Sequence, residues 1–186
     1  VSLGQYAKLM IAVDKEDISE IELMVSSLEA LADIPAGLLT KVPIKLLREA
    51  YNQLAELTST LPNKELSRVI EIDGIDYGFI PDFDELSLGE FVDLDNYLQD
   101  SYHNLSKIFA VLYRPIKDRK GEQYIIEDYE LKDILKRREL FSKRLSMDTI
   151  YGGLVFFCSI GMTAIDITLS SLEEEQRSQS IIKSSQ

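Results

Sequence analysis

A chain of 186 residues, 45% apolar and 28% charged, is long enough for one substantial core or two small ones and has an ordinary globular composition. Its formal net charge of −12 argues against a simple nucleic-acid binder, which needs a basic footprint. A single cysteine, Cys158, excludes an internal disulfide and a cysteine-based zinc site, and fits a reducing compartment.

The chain opens on "VSLGQYAKLM", which has no basic head followed by an apolar run and so does not read as a secretory leader. Ser2 and Gln5 fit a capping box, in which the serine hydroxyl takes a free amide of the first turn and the glutamine reaches back to the serine amide. Leu3, Tyr6, Ala7, Met10 and Val13 then recur with helical spacing, predicting a helix over 2–13. A second helix is expected over 17–33 and a third over 43–58, where Pro43 suits the first turn.

The clearest β signal is "VIEIDGIDYGFIP". Asp73-Gly74 supplies the positive φ angles of a tight turn between two short β-branched and aromatic runs, predicting a hairpin over 69–80. Next comes "LSLGEF", a second copy of the opening phrase, with Ser87 and Glu90 in the capping-box positions. Helices are expected over 87–99, 101–113 and 128–144. Aligning Pro35 with Pro115 sets Leu28 against Ile108 and Leu31 against Val111. The chain therefore reads as two degenerate copies of a three-helix unit, at 1–62 and 63–145, with the hairpin opening the second. By the same logic a hairpin is expected upstream of Val1.

Residues 150–165 form an apolar run free of charge, within a helix expected over 147–174. A membrane span needs about twenty such residues, and Asp148 and Asp166 flank the run. The first reading is a core or subunit-interface helix containing Phe156, Phe157 and Ile160. The second is a membrane-inserted one, which Gly152, Gly153 and Gly161 would also fit. Residues 176–186 read as a polar tail, giving four segments with the apolar helix at 146–175. The expected fold class is mainly α, with one hairpin.

Charge is segregated. No Lys or Arg lies between Arg68 and Lys107, where acids including Asp82 and Asp84 accumulate, whereas 107–144 is rich in bases, Arg137 and Arg138 among them. An acidic flank and a basic flank suit head-to-tail contact between copies, so Asp82, Asp84, Arg137 and Arg138 join Phe156, Phe157 and Ile160 as candidate interface residues. Asp82, Asp84 and Glu85 offer the oxygens a hard cation takes, but the window lacks the spacing of a calcium loop, so no metal is assigned. His103 reads as a helix-terminal structural residue, and Cys158 as a small core residue whose thiol burial would keep protonated. No GxGxxG, Walker, GxSxG or HExxH motif occurs, and no cofactor or catalytic residue is assigned.

The stretch from "IEIDGIDYGFIPDFDELSLGEFVDLDNYLQD" to "NLSKIFAVLYRPI" resembles small proteins encoded in the structural gene modules of tailed bacteriophages, including crAss-like phages and others of Bacteroidetes hosts. The likeness covers residues 70–116 and, more loosely, 1–58, where the hairpin before "VSLGQY" is missing. It implies a non-enzymatic virion component in the capsid, neck or tail, assembled in several copies with other phage structural proteins. The expected location is the particle, with the host cytoplasm as the site of assembly, and no membrane partner. An assembly chaperone of the tail type is the alternative within that setting. An acidic mimic that inhibits a basic nucleic-acid enzyme is the alternative outside it.

Overall fold

The protein is seen in a computed structural model that describes residues 1–59 and 65–156. The helices are α1 (Leu3–Val13), α2 (Glu20–Ala32), α3 (Ala36–Leu39), α4 (Ile44–Leu57), α5 (Leu88–Leu98), α6 (Ser101–Leu112) and α7 (Leu131–Arg144). A further helix, α8, occupies 147–156 at the end of the described chain. The strands are β1 (Val69–Ile72), β2 (Ile75–Phe79), β3 (Tyr113–Lys120) and β4 (Gln123–Ile126).

Three helices start in complete capping boxes. Gln5 N donates to Ser2 Oγ at 3.2 Å while Ser2 N donates to Gln5 Oε1 at 2.9 Å. Ser87 and Glu90 repeat the arrangement at α5, and Ser19 and Glu22 at α2. Each box satisfies amides that the first turn would otherwise leave without a partner.

The strands form one antiparallel sheet in the order β1-β2-β3-β4. Asp73 and Gly74 turn β1 into β2 at φ of 53° and 79°, setting Ile72 opposite Ile75 and Val69 opposite Gly78. In β3, Tyr113 pairs with Phe79 and Pro115 with Tyr77. Pro115 brings no N–H to the ladder, but its carbonyl accepts from Glu127 N at 2.9 Å, and a register irregularity follows between Ile116 and Asp118. The sheet curls strongly enough that Tyr124 in β4 donates its hydroxyl to the Phe79 carbonyl at 2.7 Å, across the width of β3. Gly78 makes that possible, because a Cβ there would lie 2.4 Å from the Tyr124 ring and 2.9 Å from Ile126 Cγ2.

This sheet overturns the expectation of a mainly helical chain with one hairpin. The fold is mixed α/β. It overturns the pair of matched three-helix units as well: Pro35 caps the short helix α3, whereas Pro115 lies inside β3. The sequence from Tyr113 into β4, with Arg114, Lys117, Arg119 and Lys120, lies between the helices expected over 101–113 and 128–144 and carries no strand expectation. It forms strands because Tyr113 is fully buried while Asp118–Lys120 are exposed, and Gly121 takes φ +66° at the turn.

The larger core joins Leu3 of α1, Ile70, Ile72, Tyr77 and Phe79 of the first hairpin, Ile108–Tyr113, Ile134 and Phe141 of α7, and Ile150 of α8. At its centre is α6, against which α1, α5 and α7 all pack. Burying a phenylalanine such as Phe79, Phe109 or Phe141 stabilises by roughly 1.5–3 kcal/mol. Tyr113 donates its hydroxyl to Ser67 O at 2.7 Å, and burial pushes its pKa well up. A smaller cluster of Met24, Leu28, Leu39 and Leu47 joins α2, α3 and α4. The start of the chain is tied in by Leu3 N donating to Leu145 O at 2.7 Å and Met147 N to Val1 O at 2.9 Å.

In α8, Gly152 approaches the Glu65 carbonyl so closely that a Cβ would sit 1.9 Å from it, and Gly153 faces Tyr113 and Phe109. These glycines serve close contact inside this fold. Among the described residues no helix is long and apolar enough to cross a membrane. Residues beyond 156, Phe157, Cys158 and Ile160 included, lie outside the described chain.

Gly78→Ala is expected to lower unfolding stability by about 1–3 kcal/mol, because the added methyl must displace Tyr124 from its seat. Urea denaturation followed by circular dichroism measures this; an unchanged midpoint would contradict the curled packing of β4 over β2.

Candidate interaction surface

Glu90 stands at the third position of α5 and is 5% exposed. One carboxylate oxygen, Oε2, accepts from Ser87 N at 2.7 Å and from Ser87 Oγ at 2.5 Å. The other, Oε1, meets Arg114 Nη2 of β3 at 2.5 Å. Arg114 is itself 7% exposed. Burial lowers its pKa and the Glu90 charge opposes that fall, so Glu90 favours the charged guanidinium in a poorly solvated place. The first turn of α5 is thereby fixed to a central strand of the sheet. Gly89 helps, since a Cβ there would come 3.3 Å from the Tyr129 ring. The Tyr129 hydroxyl donates to the Asp93 carboxylate one turn along.

Docked this way, α5 buries Glu90 and Leu94 and half-buries Asp93 and Tyr97. Its opposite side carries Leu88, Phe91, Val92 and Leu98, with Asp95 among them. Leu88 is 79% and Phe91 60% exposed. At spacings of three, four, seven and ten residues from Leu88 these side chains make one stripe along the helix. The equivalent helix α1 has no such free side: Leu3 is fully buried, and Gly4 lies so close to α7 that a Cβ would sit 2.4 Å from Ser142 Oγ.

Beside the start of α5 lies a cleft of about 590 Å³. Arg114, Tyr124, Ile126 and Tyr129 line it, with Asp82, Glu85, Glu127 and Asp128 among its acids. Several of its polar groups are engaged in structural bonds, although Arg114 Nε has no hydrogen-bond partner among the described residues. Asp82 Oδ1 accepts from Asp84 N at 2.9 Å, and Asp128 accepts from Lys117 Nζ at 2.7 Å, which holds its carboxyl below the usual range. Burial first, then the bond to Asp93, pushes the Tyr129 hydroxyl up. Among the described residues, no group of three or more His, Cys, Asp or Glu side chains is arranged to hold a metal ion.

The residues singled out from sequence do not gather in one place. Asp82 and Asp84 form the exposed turn before α5. Arg137 is buried beside Glu127 at 3.5 Å, with Nε and Nη2 without a partner among the described residues, whereas Arg138 is exposed. Phe156 packs edge-on against Phe79, with ring centroids 5.9 Å apart, and against Phe83 at 6.1 Å. His103, exposed at the start of α6, has Nδ1 2.8 Å from Asp100 Oδ1. The outer stripe of α5 and the second role of Glu90 were missed. Leu88, Phe91, Val92, Leu94 and Leu98 together exceed what one face can hold, and that excess was the available signal.

Comparison of the chain with protein-family models, with curated proteins and with solved structures found no match.

Glu90→Gln keeps a capping side chain but leaves the Arg114 charge buried without its counterion, and is expected to cost about 3 kcal/mol. Adding Arg114→Met should recover part of that loss, since a paired removal strands no charge. Urea unfolding of the single and double variants measures both, and a double variant no better than the single would contradict the pair.

Proposed function

We propose that this chain is a non-enzymatic structural protein of a tailed-phage particle, built into the capsid, neck or tail together with other structural proteins and further copies of itself. The observation that carries the reading is α5, a helix held to the fold by a polar anchor on one side and apolar on the other. One side is anchored through Glu90, and the other presents Leu88, Phe91, Val92 and Leu98 to solvent. A contiguous apolar stripe of this kind on a folded surface is a protein-contact feature. The phage setting is supported by the resemblance of residues 70–116, the stretch that holds the first hairpin, α5 and α6.

Mass spectrometry of purified particles from a phage encoding this chain is the test. Peptides of the chain are expected in the particles at several copies each. Peptides abundant in infected cells but missing from particles would replace the structural role with a transient assembly factor. Recovery bound to a basic nucleic-acid enzyme, released by salt, would replace it with an inhibitor.

A further inference from the structure

The sheet leaves the outer side of β4 open. β4 pairs with β3 alone, and no strand lies beyond it among the described residues. Ile126 stands opposite Ile116, and the next residue, Glu127, donates its N–H to Pro115 O at 2.9 Å. Backbone groups alternate in direction along a strand, so Ile126 and, two residues back, Tyr124 turn their own N–H and C=O outward. An edge of this kind invites a further strand unless charge, proline or a bulge blunts it. Gln123–Ile126 holds no charge and no proline, and Ile125 is 62% exposed. The extra residue at the register irregularity, Lys117, belongs to β3. β1, the other edge, carries the exposed Glu71.

Open space follows the strand. The cleft beside the start of α5 is walled by Tyr124, Ile125 and Ile126 on one side and by Pro81, Asp82 and Glu85 on the other. A second cavity, of about 570 Å³, shares Pro81, Tyr124 and Ile125 with it, so one groove runs along β4. Within the cleft, Asp128 is met by Lys117, Glu127 by Arg137 and Glu90 by Arg114. Asp82 and Glu85 are exposed and meet no base among the described residues. In the second cavity Arg119 pairs with Asp76 at 3.6 Å. Arg68 and Lys120 stand there with Asp118 and Glu122, which leaves no excess of either sign. The groove is therefore negative at its cleft end.

We propose that the open edge of β4 takes an extended, basic segment of a partner protein as a fifth strand, with a Lys or Arg side chain entering the cleft against Asp82 and Glu85. Main-chain bonds to Tyr124 and Ile126 supply the affinity, and the two acids select the sign of the incoming side chain. The surface is separate from the outer side of α5 and gives the chain a second kind of contact.

The probe is a synthetic peptide, acetylated and amidated Thr-Val-Lys-Val-Lys-Val-Thr, titrated into the isotopically labelled wild-type chain and followed by NMR. Amide resonances of Glu85, Tyr124 and Ile126 are expected to shift together. Exchanging both lysines for glutamate should weaken binding about tenfold or more, and Glu85→Lys should do the same to the lysine peptide. Glu56→Lys, an equal charge change on the exposed side of α4, should leave binding as it was. Two further peptides are N-methylated, one at the lysines and one at the intervening valines. Only one of these sets of amides can face β4, so one peptide should lose about tenfold or more and the other should not. Glu85 is exposed and its variant should fold normally by circular dichroism. Absence of binding, equal binding of the lysine and glutamate peptides, equal effects of the two methylation patterns, or shifts confined to the outer side of α5 would each overturn the proposal. Protection of the Tyr124 and Ile126 amides that grows with concentration of the chain alone would put a second copy on the edge, and overturn it too. Particle mass spectrometry is independent of this result: a chain missing from particles leaves the β4 edge standing, and a chain in particles that ignores the peptide does the reverse.

Discussion

A carboxylate taken out of water must have its charge and lone pairs met, and in Glu90 that requirement joins two parts of the fold. The residue is 5% exposed. It closes the capping box on Ser87 with one oxygen and pairs with Arg114 through the other. Helix α5 contributes little else to the core, with Leu94 as its buried apolar side chain. Its position against the sheet therefore depends on a polar anchor more than on apolar area. Breaking such a pair from one side strands a buried charge, which is far costlier than losing a surface ion pair. The side of α5 that faces outward follows from the side on which Glu90 is held.

The same logic explains a phrase written twice. In α1, Gln5 closes its capping box with Oε1, and its Nε2 donates to the Leu31 carbonyl at 3.1 Å, near the end of α2. In α5, Glu90 closes its box and reaches Arg114, just beyond the end of α6. Each time the third residue of one helix ties that helix to the far end of the next. The glycine between lets a neighbour approach, Ser142 at Gly4 and Tyr129 at Gly89. The likeness stops there. α1 is covered by α7 and uses a neutral tie, whereas α5 has an uncovered outer side and uses a charged one.

Much of the helical pattern was legible because caps and periodicity are local. Ser2, Ser87, Asp73-Gly74 and the apolar spacing of α6 announce themselves within a few residues. The second hairpin was not legible, because what makes Tyr113–Ile126 strands is distant. Tyr113 must find Phe79, and Tyr124 must find the gap over Gly78. Local composition there, with Pro115 and a run of bases, points elsewhere. Arg137 misled for a related reason: next to Arg138 it reads as half of a basic surface, but the turn of α7 sends it inward to Glu127 and its neighbour outward. Of the candidate surface, the acid–base segregation was visible in the sequence, but not which charges the fold already neutralises.

Among the described residues, the outer side of α5, with Leu88, Phe91, Val92 and Leu98, stays exposed to water while Glu90 fixes the inner side. That is the physical content of the assembly reading, and hydroxyl-radical footprinting of the wild-type chain reaches it most directly. The account predicts that labelling of Leu88, Phe91, Val92 and Leu98 falls together as concentration rises, while the exposed Leu38 and Leu46 of the α3–α4 region label as before. Labelling of the four that is independent of concentration, or protection that appears at Leu38 and Leu46 instead, would contradict it.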